Sequence, residues 1–144
     1  MSQEKYFEEA VAHFESLALK TPALVLLEGD LGMGKTTFVK ELLSSWGYSS
    51  SKVQSPTFLK LLEHRVPGHG LCLHLDCYRI EDSDEFIKLG LEAYLEADYW
   101  FVEWPEMFLK HLAECPSLEK LLRFRSRIRV SFDMGENGKR SVRF

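Results

Sequence analysis

A chain of 144 residues fits one domain, residues 1–144, and its 45% hydrophobic and 12% aromatic content excludes disorder as the main state. No apolar run approaches the 18 residues of a membrane span, and Met1-Ser2-Gln3-Glu4-Lys5 lacks the basic-then-apolar plan of a secretion signal, so no membrane partner is expected. The net charge of −4 conceals a division: residues 1–119 carry 10 Lys/Arg against 20 Asp/Glu, and residues 120–144 carry 8 against 2. A basic end on an acidic body has two readings, a docking surface for nucleic acid or an acidic partner, or a solvated face.

The elements follow in chain order. Tyr6, Phe7, Ala10, Val11, Phe14, Leu17 and Ala18 recur at helical spacing, which predicts an amphipathic helix over residues 3–19 that Thr21-Pro22 breaks. Leu24-Val25-Leu26-Leu27 is a short apolar run after a breaker, the pattern of a buried parallel strand. A Gly-rich turn spans Gly29 to Gly34, and Phe38, Val39, Leu42, Leu43 and Trp46 then mark one face of a helix that Gly47 ends. Phe58 to Glu63 and Leu71 to Tyr78 read as strands around the turn Pro67-Gly68-His69-Gly70. Asp82-Ser83-Asp84-Glu85 opens a helical region interrupted at Gly90, Tyr99 to Glu103 is a buried strand, and Trp104-Pro105 starts a helix to about residue 114. Ile128, Val130 and Phe132 alternate with Arg127, Arg129 and Ser131, and Val142 and Phe144 with Ser141 and Arg143, which predicts a C-terminal hairpin. Helices alternating with apolar strands indicate an α/β fold with a mainly parallel sheet flanked by helices and antiparallel strands at one edge. Cys72, Cys77 and Cys115 are an odd set without metal-type spacing, which points to buried thiols in a reducing cytoplasm.

One motif carries chemistry. Gly29-Asp30-Leu31-Gly32-Met33-Gly34-Lys35-Thr36 fits G-x-x-x-x-G-K-[ST], between a predicted strand and a predicted helix, which is the context a P-loop requires. Glycines let successive N–H groups converge on a phosphate, and the helix starting at Lys35 points its positive dipole end at the same anion. Lys35 is placed to reach the β- and γ-phosphates, Thr36 to ligate Mg²⁺, and Thr37 to add a hydroxyl near the α-phosphate. A carboxylate is needed near the metal, and two strands end in one: Asp76 after Leu71–Leu75 and Glu103 after Tyr99–Val102. Both lie at the carboxyl edge of the sheet, where one would hold Mg²⁺ and the other orient the attacking water, with the order left open. Ser55-Pro56-Thr57-Phe58 occupies the interval of a γ-phosphate-sensing loop, with Thr57 as its hydroxyl. The guanine-specifying Asn-Lys-x-Asp tetrad is absent, which favours ATP. His64, His69 and His74 are spaced by five without the setting of a metal site; His74, two residues before Asp76 on one strand face, falls near the motif, and His13 and His111 read as helix-surface residues.

Together these stretches resemble the TsaE (YjeE) family of bacterial P-loop ATPases. The resemblance rests on Gly29 to Phe38, on Val53-Gln54-Ser55-Pro56-Thr57-Phe58, on His74-Leu75-Asp76-Cys77-Tyr78-Arg79, and on Val102-Glu103-Trp104-Pro105-Glu106, in the family's order. It implies a weak ATPase that works with TsaB and TsaD in making threonylcarbamoyladenosine on tRNA, with tRNA met indirectly or through that complex and direct contact by the basic hairpin left open. It further implies that Thr36 and Glu103 hold Mg²⁺, that Asp76 serves hydrolysis, that Trp104 lies close to the nucleotide, and that Tyr78-Arg79 belongs to the same face. The first helix departs from the family by carrying Ala10 and Phe14 where a Thr near the adenine and a following helical Gly are usual, and the hairpin matches loosely, with Arg140 as the arginine that would reach the nucleotide. Two other classes compete: a small metabolite kinase, with Arg123-Phe124-Arg125-Ser126-Arg127 as its lid, and a nucleotide-dependent switch that does not hydrolyse.

Overall fold

The computed structural model describes residues 4–53, 61–135 and 138–144. Its chain order is β1 (Glu4–Tyr6), α1 (Phe7–Ser16), β2 (Ala23–Glu28), α2 (Lys35–Ser45), β3 (Leu61–Val66), β4 (Gly70–Asp76), α3 (Ser83–Lys88), β5 (Tyr99–Glu103), α4 (Pro105–Ala113), α5 (Pro116–Leu122), β6 (Ser126–Met134) and β7 (Arg140–Arg143), with 3-10 turns at Ser50–Lys52 and Leu91–Tyr94. The strands form one sheet in the order β1-β7-β6-β2-β5-β4-β3. Its centre is parallel, with β2 between β5 and β6 and β4 beside β5; the ladders β3–β4, β6–β7 and β1–β7 are antiparallel.

The apolar runs explain the layers. Residues 23–27 of β2 and all of β5 are buried because both faces of the central sheet are covered. Val25, Leu27, Phe101 and Val130 pack against Phe14 of α1 and Phe38, Leu42 and Leu43 of α2. Leu24, Leu26, Leu73, Leu75 and Trp100 face Phe86, Phe108, Leu118 and Leu122 from α3, α4 and α5. Among the described residues no helix is long and apolar enough to cross a membrane.

Three elements depart from the sequence reading. The first helix begins at Phe7, because residues 4–6 pair with Ser141–Arg143 as strand β1, a non-local contact that helical periodicity does not encode. β3, Leu61–Val66, runs three residues past the expected end at Glu63, because the Pro67 turn places Val66 opposite Gly70 of β4; residues 58–60 of the expected strand lie outside the described residues. The helix starting at Pro105 is followed by a second, α5, which starts at Pro116 and buries Leu118 and Leu122.

The basic end proves to be partly structural. Arg125 is 6% exposed and lies at the amino edge of the sheet, opposite the Gly-rich loop. It donates to the carbonyls of Ala23 (3.1 Å), Leu95 (2.9 Å) and Ala97 (2.7 Å), with its guanidinium 4.8 Å above Trp100. Burial pushes its pKa down to about 10, against the raising charge of Asp98, so it stays charged at neutral pH. This removes Arg125 from any docking face and leaves the Arg123–Arg127 segment at the wrong edge to close over a phosphate. Arg125→Leu leaves three buried carbonyls without their donor and should lower stability by about 2–4 kcal/mol in urea melts, whereas exposed Arg127→Ala should stay within about 0.5 kcal/mol.

Candidate functional site

The Gly-rich loop connects the carboxyl end of β2 to α2. Its glycines meet different demands. At Gly29, with φ +148°, a Cβ would lie 2.6 Å from the Phe132 carbonyl oxygen, so only glycine lets the loop start against β6. Gly34 precedes α2 at φ 107°, in the left-handed region, and offers no side chain to cap the first turn. That turn also carries no acidic residue, and an uncapped helix start of this kind suits an anion, whose charge the helix dipole favours. Met33 is half-buried against the core, and its N–H donates to the Asp30 carbonyl, 3.3 Å away, which closes the loop.

Lys35 is 4% exposed. Its ammonium donates to the Gly29 carbonyl and lies 3.9 Å from the centre of the Trp104 ring. Burial pulls its pKa below the ordinary lysine value, and the charges of Glu103, Asp76, Glu106 and Asp30 oppose that fall. Thr36 Oγ1 donates to Glu103 Oε2 at 2.8 Å, and His74 Nε2 meets the same oxygen at 2.6 Å. Asp76 lies level with Glu103 in the β4–β5 ladder, is 5% exposed, and accepts the Tyr78 N–H at 2.8 Å. Trp104 caps α4 at φ 59°, ψ 60°, and its ring packs on Tyr78 with centroids 4.6 Å apart.

A cavity of about 240 Å³ gathers most of the residues singled out from the sequence: Leu31, Gly32, Gly34, Lys35, Thr36, Thr37, Asp76, Glu103 and Trp104, with Arg140 joining them from β7. Gly29 and Asp30 line an adjoining cavity of about 310 Å³ on the other side of Trp104. Thr57, with Ser55 to Phe58, lies outside the described residues. The Thr36 and Glu103 oxygens and the nearby Asp76 make an all-oxygen donor set beside an uncapped helix start, which fits a hard divalent cation together with a phosphate.

Sequence reasoning missed Glu28. Burial alone would raise its carboxyl, but hydrogen bonds from Ser131 and Arg129 and the Arg129 charge hold it below its usual value. The alternation of β6 contains that signal, since Arg129 and Ser131 share its wet face. The histidines divide. His69 stacks on Trp46, His64 is buried with Nδ1 2.9 Å from the Tyr48 hydroxyl, and His111 is also buried, packed against Phe86 and not on the helix surface. Burial pushes the Cys72 and Cys77 thiols up to about 12, while Cys115 is only partly buried.

Strand, Gly-rich loop and helix, with carboxylates on two neighbouring parallel strands, define a P-loop α/β protein. Comparison with known proteins narrows this. The family model "Threonylcarbamoyl adenosine biosynthesis protein TsaE" matches residues 1–141. The tRNA threonylcarbamoyladenosine biosynthesis protein TsaE of Rickettsia bellii is 37% identical over 117 residues, 81% of this chain and 77% of that protein. Its counterpart in Rickettsia typhi is 38% identical over 101 residues, 70% and 69%. The crystal structure of YdiB from Bacillus subtilis superposes with a TM-score of 0.61 at 24% identity, over 100% of this chain and 83% of that one, which shows the fold. This chain belongs to the TsaE family.

Buried His64 gives the fold a pH dependence. Burial, and after it the charge of His74, lower its pKa from 6.5 to about 4. Between those values the unfolded chain holds a proton that the folded chain lacks. Stability should therefore fall as the pH drops from 6.5 towards 4, by about 3 kcal/mol at full extent. Urea melts across this window check it, with His64→Gln flattening the slope.

Proposed function

We propose that this chain is a weak, Mg²⁺-dependent ATPase that serves tRNA threonylcarbamoyladenosine synthesis in the cytoplasm, acting with TsaB and TsaD and meeting tRNA through that complex. One observation carries the reading. Lys35, the Thr36–Glu103 pair and Asp76 surround a single cavity at the start of α2. The family membership gives that site its pathway.

The residues divide the work. The N–H groups of the loop and of the first turn of α2 hold the phosphates, and the dipole of α2 favours their charge. Lys35 leaves the Gly29 carbonyl and turns to the β- and γ-phosphates, where its charge counters the negative charge of the transition state. Thr36 and Glu103 would hold Mg²⁺, which would supply positive charge to neutralise the phosphates. Asp76, its carboxylate fixed by the Tyr78 N–H, orients the attacking water. Arg140 and Thr37 extend the cavity on the phosphate side.

A kinase reading loses its lid, since Arg125 is buried at the opposite edge of the sheet. A non-hydrolysing switch is separated by turnover. Phosphate release without an acceptor, stimulated by TsaB and TsaD, supports the ATPase; strict acceptor dependence, or binding without turnover even with both partners, overturns it.

Lys35→Ala and Asp76→Ala should each lower turnover by about 10²–10³-fold. Asp76→Ala should keep its Mg²⁺-dependent affinity for ATP, and Glu103→Ala should lose it. Calorimetry with and without Mg²⁺, beside phosphate release, checks the division; equal loss of binding in both carboxylate variants would refute it.

A further inference from the structure

We infer that His74 is a positioning residue for Glu103, holding its carboxylate at Thr36 and away from Lys35. The inference rests on the reading of Thr36 and Glu103 as the Mg²⁺-holding pair.

His74 is 0% exposed, on a strand whose flanking residues Leu73 and Leu75 are fully buried hydrophobics. An imidazole is costly there. Its Nδ1 has no hydrogen-bond partner among the described residues, and a buried polar atom left unsatisfied is destabilising. An apolar side chain would avoid that penalty, so the packing of this position does not explain a histidine. The other nitrogen does: Nε2 lies 2.6 Å from Glu103 Oε2, a short contact of the kind made by a donor to a carboxylate.

The choice of oxygen matters. Oε2 receives both the Thr36 hydroxyl, at 2.8 Å, and His74 Nε2. No described residue donates to Oε1, so the carboxylate is anchored through one oxygen and presents the other. In register, His74 stands beside Phe101 and Asp76 beside Glu103, so the imidazole reaches Glu103 diagonally from one step down the strand. A competitor shares the cavity: Lys35 and Glu103 both line it. Without the His74 donor, Glu103 is free to turn away from Thr36, which takes its carboxylate from the metal-holding pair and leaves the loop N–H groups and Lys35 in place. Groups that orient metal-holding residues in this way typically account for 10–100-fold in metal affinity.

His74→Leu keeps an apolar fill and removes the donor. His74→Gln can place its amide N–H near the Nε2 position, whereas the shorter His74→Asn cannot. The readout is the Mg²⁺ concentration that half-saturates the Mg²⁺-dependent part of ADP binding, measured by calorimetry, beside ADP affinity in excess EDTA. His74→Leu should raise the Mg²⁺ requirement by about 10–100-fold and leave the metal-free ADP affinity within about twofold, since the loop N–H groups are untouched. His74→Gln should restore most of the loss. Unchanged Mg²⁺ dependence in a folded His74→Leu protein overturns the inference, as does an equal fall in ADP affinity with and without metal. Should His74→Leu fail to fold, the Gln and Asn variants carry the test: a requirement raised in Asn and near normal in Gln supports positioning, and equal behaviour of the two refutes it. Absence of Mg²⁺-dependent ADP binding in the unaltered protein would instead sink the proposed function itself.

Discussion

β5 pairs in parallel with β2 on one side and β4 on the other, in a register that sets Leu27 and Asp76 level with Glu103. Parallel strands carry their carboxyl ends to the same edge. The Gly-rich loop leaves β2 there, one residue beyond Glu28, and the two carboxylates arrive there on their own strands. A slip of one residue in either pairing would turn Asp76 or Glu103 to the other face of the sheet, among Leu75 and Val102. That slip is opposed because it would bury a carboxylate among the apolar side chains of the packed face. The hydrophobic core is thus what holds three charged groups within reach of one another.

The two edges of the sheet do different jobs with similar residues. At the carboxyl edge, Lys35 sits among four carboxylates and has a lowered pKa because burial outweighs their pull. At the amino edge, Arg125 is buried among backbone carbonyls. A guanidinium can satisfy several carbonyls at once through its fixed fork of donors and keeps its charge, which suits a permanent brace; an ammonium on a flexible stem suits a group that must leave one partner for another. The basic end of the chain is accordingly less of a surface than its charge implies: Arg125 is internal, and Arg129 and Arg123 hold Glu28 and Glu119.

Much of this was legible in the sequence, and the exceptions share a cause. β2, α2, β4, β5 and the hairpin follow from apolar runs, alternation and turn residues, which are local signals. That most of the loop residues and the two strand-end carboxylates meet at one cavity was legible because the loop motif has a fixed spacing and both carboxylates end apolar strands. β1 was hidden because its only reason to be a strand is β7, more than 130 residues away. Arg125 read as surface because a charge is usually solvated, and its three carbonyls come from Ala23, Leu95 and Ala97, which only the fold assembles. His111 and Glu28 were misread or missed for the same reason, each defined by a partner distant in sequence.

Gly29 gives the loop a further meaning. The position is closed to any side chain by the Phe132 carbonyl, an atom of β6 and not of a ligand. The first residue of the phosphate loop is therefore moulded by the β2–β6 seam, and its unusual backbone shape is acquired when the sheet assembles. Most of the conformational entropy lost in shaping that residue is lost in folding, before any ligand could bind. Loop and sheet are in this respect one cooperative unit, so under the proposed function a change that loosens the seam between β2 and β6 would blunt phosphate recognition without altering the loop itself.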